Sequence, residues 1–221
     1  MQHQVIATTI PVWKIDSPQL EADAIARAAD VVRTGGIIIY PTETLYGLGG
    51  DPMCEAAIER IYRIKGRDFK KPLPLVAADI EAVRKVAAQW PRAAERLARA
   101  FWPGPLTLIL PSTPVVPPRL HAYTGRVAVR VSSHPIANRL AAAVGGLLIS
   151  TSANIAGQAS YTNSKEIGPE FLSRVDGLID GGGLTGDLPS TIVDLSFDPP
   201  RPVRAGCVSW ESIRRLLAFG S

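Results

Sequence analysis

Residues 35–50 place the tightest limit on what this chain can fold into. An apolar run, Ile37-Ile38-Ile39-Tyr40, lies between Gly35-Gly36 and Pro41. Consecutive β-branched and aromatic residues bounded by turn formers predict a short strand buried on both faces. Such strands belong to sheets covered by helices. Thr42, Glu43 and Thr44 follow at once, and then Gly47, Gly49 and Gly50. The end of a buried strand is where α/β sheets place ligands. A plain turn with solvated Thr and Glu fits these residues equally well, so the rest of the chain has to decide.

Residues 4–13 alternate weakly and predict a first strand. Over residues 18–33, Leu20, Ala24, Ile25, Ala28, Ala29 and Val32 recur at helical spacing. Ser17 is placed to cap that helix, with Pro18 at its first position. Further helices are predicted over 54–64, after Asp79, over 91–101 and 134–144, and from a Ser209 cap to about Phe219. Strands are predicted over 73–77, 106–110, 127–131, 147–149, 176–179, 191–195 and 202–204. Residues 111–125 and 156–169 read as irregular. The alternation lacks the regularity of a barrel and predicts an α/β fold with one twisted, mixed sheet flanked by helices.

The chain has 221 residues and no low-complexity linker, which predicts a single domain over 1–221. Its 24 Lys and Arg against 20 Asp and Glu give a net charge of +4, suited to an anionic substrate or a nucleic-acid surface. Cys54 and Cys207 are too few for a disulfide framework and fit a reducing, cytoplasmic setting. No basic n-region opens the chain, and no apolar run approaches the ~20 residues of a membrane span. There is no Gly-x-x-x-x-Gly-Lys-Ser/Thr run, and Pro52 ends any extension of Gly47 and Gly49 into a dinucleotide fingerprint. No Gly-x-Ser-x-Gly elbow or His-Glu-x-x-His helix occurs, and His3, His121 and His134 have no ligand spacing.

What remains is a set of strand ends bearing hydroxyls and long cations. Thr42 and Thr44 end one, Lys65, Arg67 and Lys71 precede another, and Arg130 ends a third. Ser150, Ser152 and Asn154 follow a fourth, Ser190 opens a fifth and Arg204 closes a sixth. Hydroxyls and amides give directional hydrogen bonds, while Lys and Arg neutralise phosphates and carboxylates. Two cations in a loop are usually solvated, and Ser150-x-Ser152-x-Asn154 alone could be a helix cap. Their occurrence together carries the specificity.

Six segments in this order resemble the YrdC-type threonylcarbamoyl-adenylate synthases, over about residues 18–217. They are Pro41-Thr42-Glu43-Thr44-Leu45-Tyr46-Gly47-Leu48-Gly49, Lys65-Gly66-Arg67, Trp102-Pro103-Gly104-Pro105-Leu106-Thr107, Ala128-Val129-Arg130, Ser150-Thr151-Ser152-Ala153-Asn154 and Pro189-Ser190-Thr191-Ile192-Val193-Asp194. The resemblance implies a three-layer α/β fold around a deep, positively lined cavity. It also implies a reaction in which L-threonine, bicarbonate and ATP give L-threonylcarbamoyl-adenylate and pyrophosphate. A separate tRNA-modifying transferase complex would then use the product. ATP is a substrate in this reading, Mg²⁺ would accompany it, and no transition metal is implied.

By the resemblance, Thr44, Arg130, Ser150 and Ser190 would hold threonine. Arg67, Lys71, Ser152, Ser160 and Arg204 would hold ATP, and Lys65 and Asn154 would complete the site. Lys65 and Arg67 would act in catalysis by cancelling charge as two anions meet. Arg126 stands where the family often has a small polar nucleotide contact. The chain departs from the family at Asp68, where many members have Pro, and at Val76, where many have His. The second change predicts a more apolar wall on the threonine side. The extra C-terminal domain of longer members is not expected here. Two rival readings share the fold: a double-stranded-RNA-binding or ribosome-maturation protein without the synthesis, and a carbamoyl-adenylate enzyme of hydrogenase maturation. The second usually carries accessory zinc-finger and acylphosphatase-like domains, which this sequence does not show.

Overall fold

The computed structural model describes residues 10–186 and 188–218. Its strands form two mixed sheets rather than the single sheet expected. In the first the order is β1 (Val12–Lys14), β9 (Gly177–Asp180), β2 (Ile38–Tyr40), β3 (Gly47–Gly49) and β8 (Thr151–Ser152). In the second the order is β11 (Arg201–Arg204), β10 (Thr191–Asp194), β5 (Leu106–Pro111), β6 (Arg126–Val131), β4 (Leu75–Ala77) and β7 (Leu147–Ile149). The expected strand over 4–13 starts outside the described residues, and its described part is β1.

The division into two sheets happens at Ser150. Leu147 to Ile149 pair antiparallel with β4, whereas Thr151 and Ser152 pair with β3. Between them, Ser150 donates its N–H to the Pro74 carbonyl at 2.8 Å, and Ile149 donates to the Gly50 carbonyl at 3.0 Å. Gly49 makes this seam possible. A Cβ there would stand 2.7 Å from the Tyr40 ring and 3.1 Å from the Ile149 carbonyl oxygen. No turn former marks the point where the strand changes sheets, because Leu147-Leu148-Ile149 runs directly into Ser150-Thr151-Ser152.

Strand β2 shows why the opening apolar run is continuous. Ile37 and Ile39 enter one apolar cluster, while Ile38 and Tyr40 enter the other. The first cluster packs under α2 (Glu55–Lys65), α3 (Ile80–Val86) and α4 (Arg92–Phe101), and it also takes Ile213 of α7 (Trp210–Ala218). The second is covered by α1 (Pro18–Arg33) and α5 (Pro135–Ala143). Helix α1 follows its sequence closely. Ser17 accepts the Leu20 N–H at 3.2 Å, Pro18 takes the first turn, and Ala24, Ile25, Ala28, Ala29 and Val32 form the buried stripe. Asp79 and Ser209 accept N–H groups of Ala82 and Ser212 as expected of caps. The expected end of α7 at Phe219 lies outside the described residues.

Of the stretch 111–125 expected to be irregular, Pro111 ends β5, and the remainder holds no helix and only an isolated bridge from Ser112 to Ala87. The polar stretch after Ala156 is more ordered than expected. Asn163 and Glu166 form a reciprocal capping box on a 3₁₀ turn, Ser164–Glu166, preceding α6 (Pro169–Leu172). Among the described residues, no helix is long and apolar enough to cross a membrane.

Candidate active site

A cavity of about 640 Å³ is lined by residues of both sheets and of the loops that join them. Thr44 reaches it from the turn after β2. The Thr42 hydroxyl builds that turn, donating to the Leu45 carbonyl at 2.6 Å and accepting the N–H groups of Thr44 and Leu45 at 3.2 Å. Arg130 comes from the end of β6, Ser150 from the seam between the sheets, and Ser190 from just before β10. Arg67 enters from the loop after α2, Ser152 from β8, Ser160 from the loop beyond it and Arg204 from the end of β11. All eight line the one cavity. They come from positions 44 to 204 of the chain.

Four other candidates stand outside the lining. Lys65 is buried, and its ammonium donates to the Ser152 carbonyl at 2.5 Å, the Asn154 carbonyl at 3.0 Å and Asn154 Oδ1 at 2.9 Å. Asn154 Oδ1 also accepts from the Ser152 hydroxyl at 2.6 Å, and its amide nitrogen donates to the Gln158 carbonyl at 2.6 Å. Lys65 and Asn154 therefore stand behind Ser152 and fix its loop. Lys71 is exposed, and its carbonyl accepts Arg67 Nε at 3.3 Å and the Tyr62 hydroxyl at 2.9 Å. Arg126 turns away to pair with Asp194 at 3.0 Å and to cover the Phe197 ring at 5.4 Å.

The expected apolar wall at Val76 does not form. Val76 is the register partner of Arg130, but it packs with Tyr40 and Leu148 beneath α1 and α5 and does not line the cavity. Tyr40 is fully buried there, and burial pushes its hydroxyl up to about 12. It stays neutral and donates to the Ile149 carbonyl at 3.3 Å.

Thr107 closes the Trp102–Thr107 segment and contributes a hydroxyl to the site. On β5, Thr107 and Ile109 face the cavity while Leu106, Leu108 and Leu110 enter the core. The Thr107 and Ser190 hydroxyls lie 2.8 Å apart, and Arg204 Nη2 donates to the Ser190 hydroxyl at 2.9 Å and to its carbonyl at 2.7 Å. The single hydroxyl in an otherwise apolar Leu-Thr-Leu-Ile-Leu strand was the available signal. Thr107→Val keeps the shape and removes one buried hydrogen bond, worth about 1 kcal/mol. It is expected to weaken ligand binding at Ser190 roughly fivefold, measured by titration calorimetry. Unchanged affinity would detach Thr107 from the site.

Electrostatically, the cavity is a cluster of guanidinium groups with no counter-acid among the described residues of its lining. Burial, then Arg130, then Arg67 push Arg204 below its ordinary value. Burial does the same to Arg67. Arg130 and Arg67 thus both bear on Arg204, and a lining that carries three guanidinium groups is one that an oligo-anion stabilises. Hydroxyls of Thr44, Ser150, Ser152, Ser160 and Ser190 supply directional contacts beside them. Among the described residues the lining contains no Cys, His, Asp or Glu, so these residues build neither a nucleophile–base pair nor a carboxylate or imidazole ligand for a cation. Among the described residues, no cluster of three or more such side chains could hold a metal ion.

The model of the Sua5/YciO/YrdC domain, described as "Telomere recombination", matches residues 30–206. This chain belongs to that family. Among its curated relatives is the threonylcarbamoyl-AMP synthase of Pyrococcus abyssi, 37% identical over 199 residues, covering 90% of this chain. The chain spans 58% of that relative's length. A threonylcarbamoyl-AMP synthase of Stenotrophomonas maltophilia is 42% identical over 168 residues, 73% of this chain and 89% of the relative. The solved structure of P. abyssi Sua5 complexed with L-threonine superposes with a TM-score of 0.88 at 36% identity, covering 95% of this chain and 61% of that one. The YrdC-type fold expected from the six segments is the fold found.

Proposed function

We propose that this chain makes L-threonylcarbamoyl-adenylate from L-threonine, bicarbonate and ATP. The observation that carries the reading is the convergence of Thr44, Arg130, Ser150 and Ser190 with Arg67, Ser152, Ser160 and Arg204 on one cavity. Relatives named as threonylcarbamoyl-AMP synthases, and a related structure holding L-threonine, support it. In this scheme the threonine amine adds to bicarbonate and water leaves, giving a carbamate. A carbamate oxygen then attacks the α-phosphorus of ATP, and pyrophosphate departs. The product would pass to a tRNA-modifying transferase complex.

Each step suits a site made of cations and hydroxyls. Arg130 offers a planar fork for the threonine carboxylate, which a lysine would not match. Arg67 and Arg204 lower the repulsion between carbamate and triphosphate, and they stabilise charge as the oxygen–phosphorus bond forms. Binding both reactants in one cavity replaces a collision of two anions by a step within a complex. No protein nucleophile is needed. The described residues of the lining offer no carboxylate to hold Mg²⁺; in this reading the ion arrives on the triphosphate as part of the substrate.

The test is pyrophosphate release from ATP and bicarbonate, with and without L-threonine, with mass detection of the adenylate. Threonine-dependent release with the adenylate as product is the expected result. ATP binding without turnover, together with salt-sensitive binding of double-stranded RNA, would overturn the synthase reading in favour of an RNA-binding role.

A further inference from the structure

The Arg130 guanidinium is not held by the cavity wall alone. Its Nε is sealed from solvent and faces Glu43 Oε1 at 3.3 Å. Neither of these two buried atoms completes a hydrogen bond. The other Glu43 oxygen, Oε2, accepts the Ser132 hydroxyl in a short contact. The Ser132 hydroxyl oxygen in turn accepts the His134 N–H at 3.2 Å. Glu43 thus sits between Arg130 and Ser132, two residues apart at the end of β6, although it belongs to the turn after β2. Gly186 presses on the same turn from another side, where a Cβ would come within 2.4 Å of the Glu43 carbonyl oxygen. Glu43 is flanked in sequence by Thr42 and Thr44, both of which line the cavity, but is not itself in the lining.

We propose that Glu43 is a positioning residue that holds Arg130 by its Nε edge, leaving the Nη1/Nη2 edge to read a substrate carboxylate. This deepens the proposed function and rests on its assignment of Arg130 to the threonine carboxylate. A guanidinium has two edges that can take a carboxylate side-on, one through Nε and one through its two terminal nitrogens. Glu43 occupies the first from the sealed side. With Nε so occupied, the two terminal nitrogens are the part of Arg130 left to meet a ligand in the cavity it lines. Fixing the fork in advance spares the substrate the cost of ordering it. A carboxylate that only balanced charge could sit at any edge. Here it faces Nε, which is closed to solvent, and its second oxygen is tied to Ser132, just past the strand that carries the arginine.

The test compares binding of L-threonine and L-threoninamide, which lacks the carboxylate charge, to the wild type and to Glu43→Gln by titration calorimetry. The wild type is expected to favour threonine at least tenfold. In the variant, threonine affinity is expected to fall about tenfold while amide affinity stays within twofold, so the preference collapses. Ser132→Ala keeps both charges and removes one tether, and it is expected to cut the preference about threefold. That variant carries the test should Glu43→Gln fail to fold. An unchanged preference in the variants overturns the proposal. So does tighter threonine binding by Glu43→Gln, which would make Glu43 a competitor for the guanidinium. A wild type that does not distinguish threonine from its amide overturns the Arg130 assignment itself.

Discussion

Arg67→Ala is expected to lower threonine-dependent pyrophosphate release about 10²–10³-fold, the scale of losing one preorganised charge-stabilising donor. The side chain is fixed before substrate arrives. Its Nε donates to the Lys71 carbonyl at 3.3 Å and its Nη2 to the Pro72 carbonyl at 2.9 Å, so the guanidinium is tied to its own loop. Its charge is felt at Arg204, another residue of the lining. Those two contacts use one edge of the group and leave the rest for phosphate oxygens. Arg67→Lys keeps a charge but cannot make both carbonyl contacts and present a fork, so it is expected to remain at least tenfold below the wild type. The carbonyls released lie near the surface, where water can replace the lost donors. The unfolding free energy should therefore move by only about 1 kcal/mol. Steady-state kinetics beside a urea titration separates the two effects. Turnover close to wild type would remove Arg67 from the mechanism.

Local features made much of this molecule readable. The glycine-bounded run before Pro41 gave the central strand, and the Ser17-Pro18 start gave α1. The hydroxyls and arginines at strand ends include seven of the eight residues that share the cavity; Ser160 came from the family resemblance alone. The unread features depend on contacts between distant parts of the chain. Lys65 looks like any loop cation in sequence. Its burial follows from carbonyls 87 and 89 residues further on. Glu43 read as a solvated turn residue because its partners, Arg130 and Ser132, arrive 87 residues or more later. Val76 shows the converse case. Standing where many family members have His, it suggested a pocket wall, but register with Arg130 alone does not say how far the cavity extends along a face. Helices α1 and α5 cover that end of the sheet with apolar residues.

Lys65→Met is expected to destabilise the fold by about 2–4 kcal/mol, because it leaves buried carbonyl oxygens without their charged donor. Methionine keeps the length and the apolar stem, so packing changes little. What disappears is the anchor on the Ser152 and Asn154 carbonyls and on Asn154 Oδ1. ATP affinity should fall with it, since Ser152 lines the cavity on that loop. The pH dependence identifies the charge. Burial, and then Arg67, push the Lys65 ammonium down to about 7, from roughly 10.4 in an unfolded chain. Its three oxygen acceptors match the three donors of an ammonium and oppose that shift, so the lower edge of the window lies at 7 or somewhat above. Between the two values the unfolded chain binds more protons than the folded one, and wild-type stability gains from rising pH. Below the window both states are protonated and the term is constant. The methionine variant has no such proton, so its stability gap from the wild type is expected to widen as pH rises from about 7 to about 9. Urea unfolding of both proteins across that range measures it. A gap independent of pH would mean that the oxygens keep Lys65 charged throughout, while a variant as stable as its parent would deny it any part in anchoring the Ser152 loop.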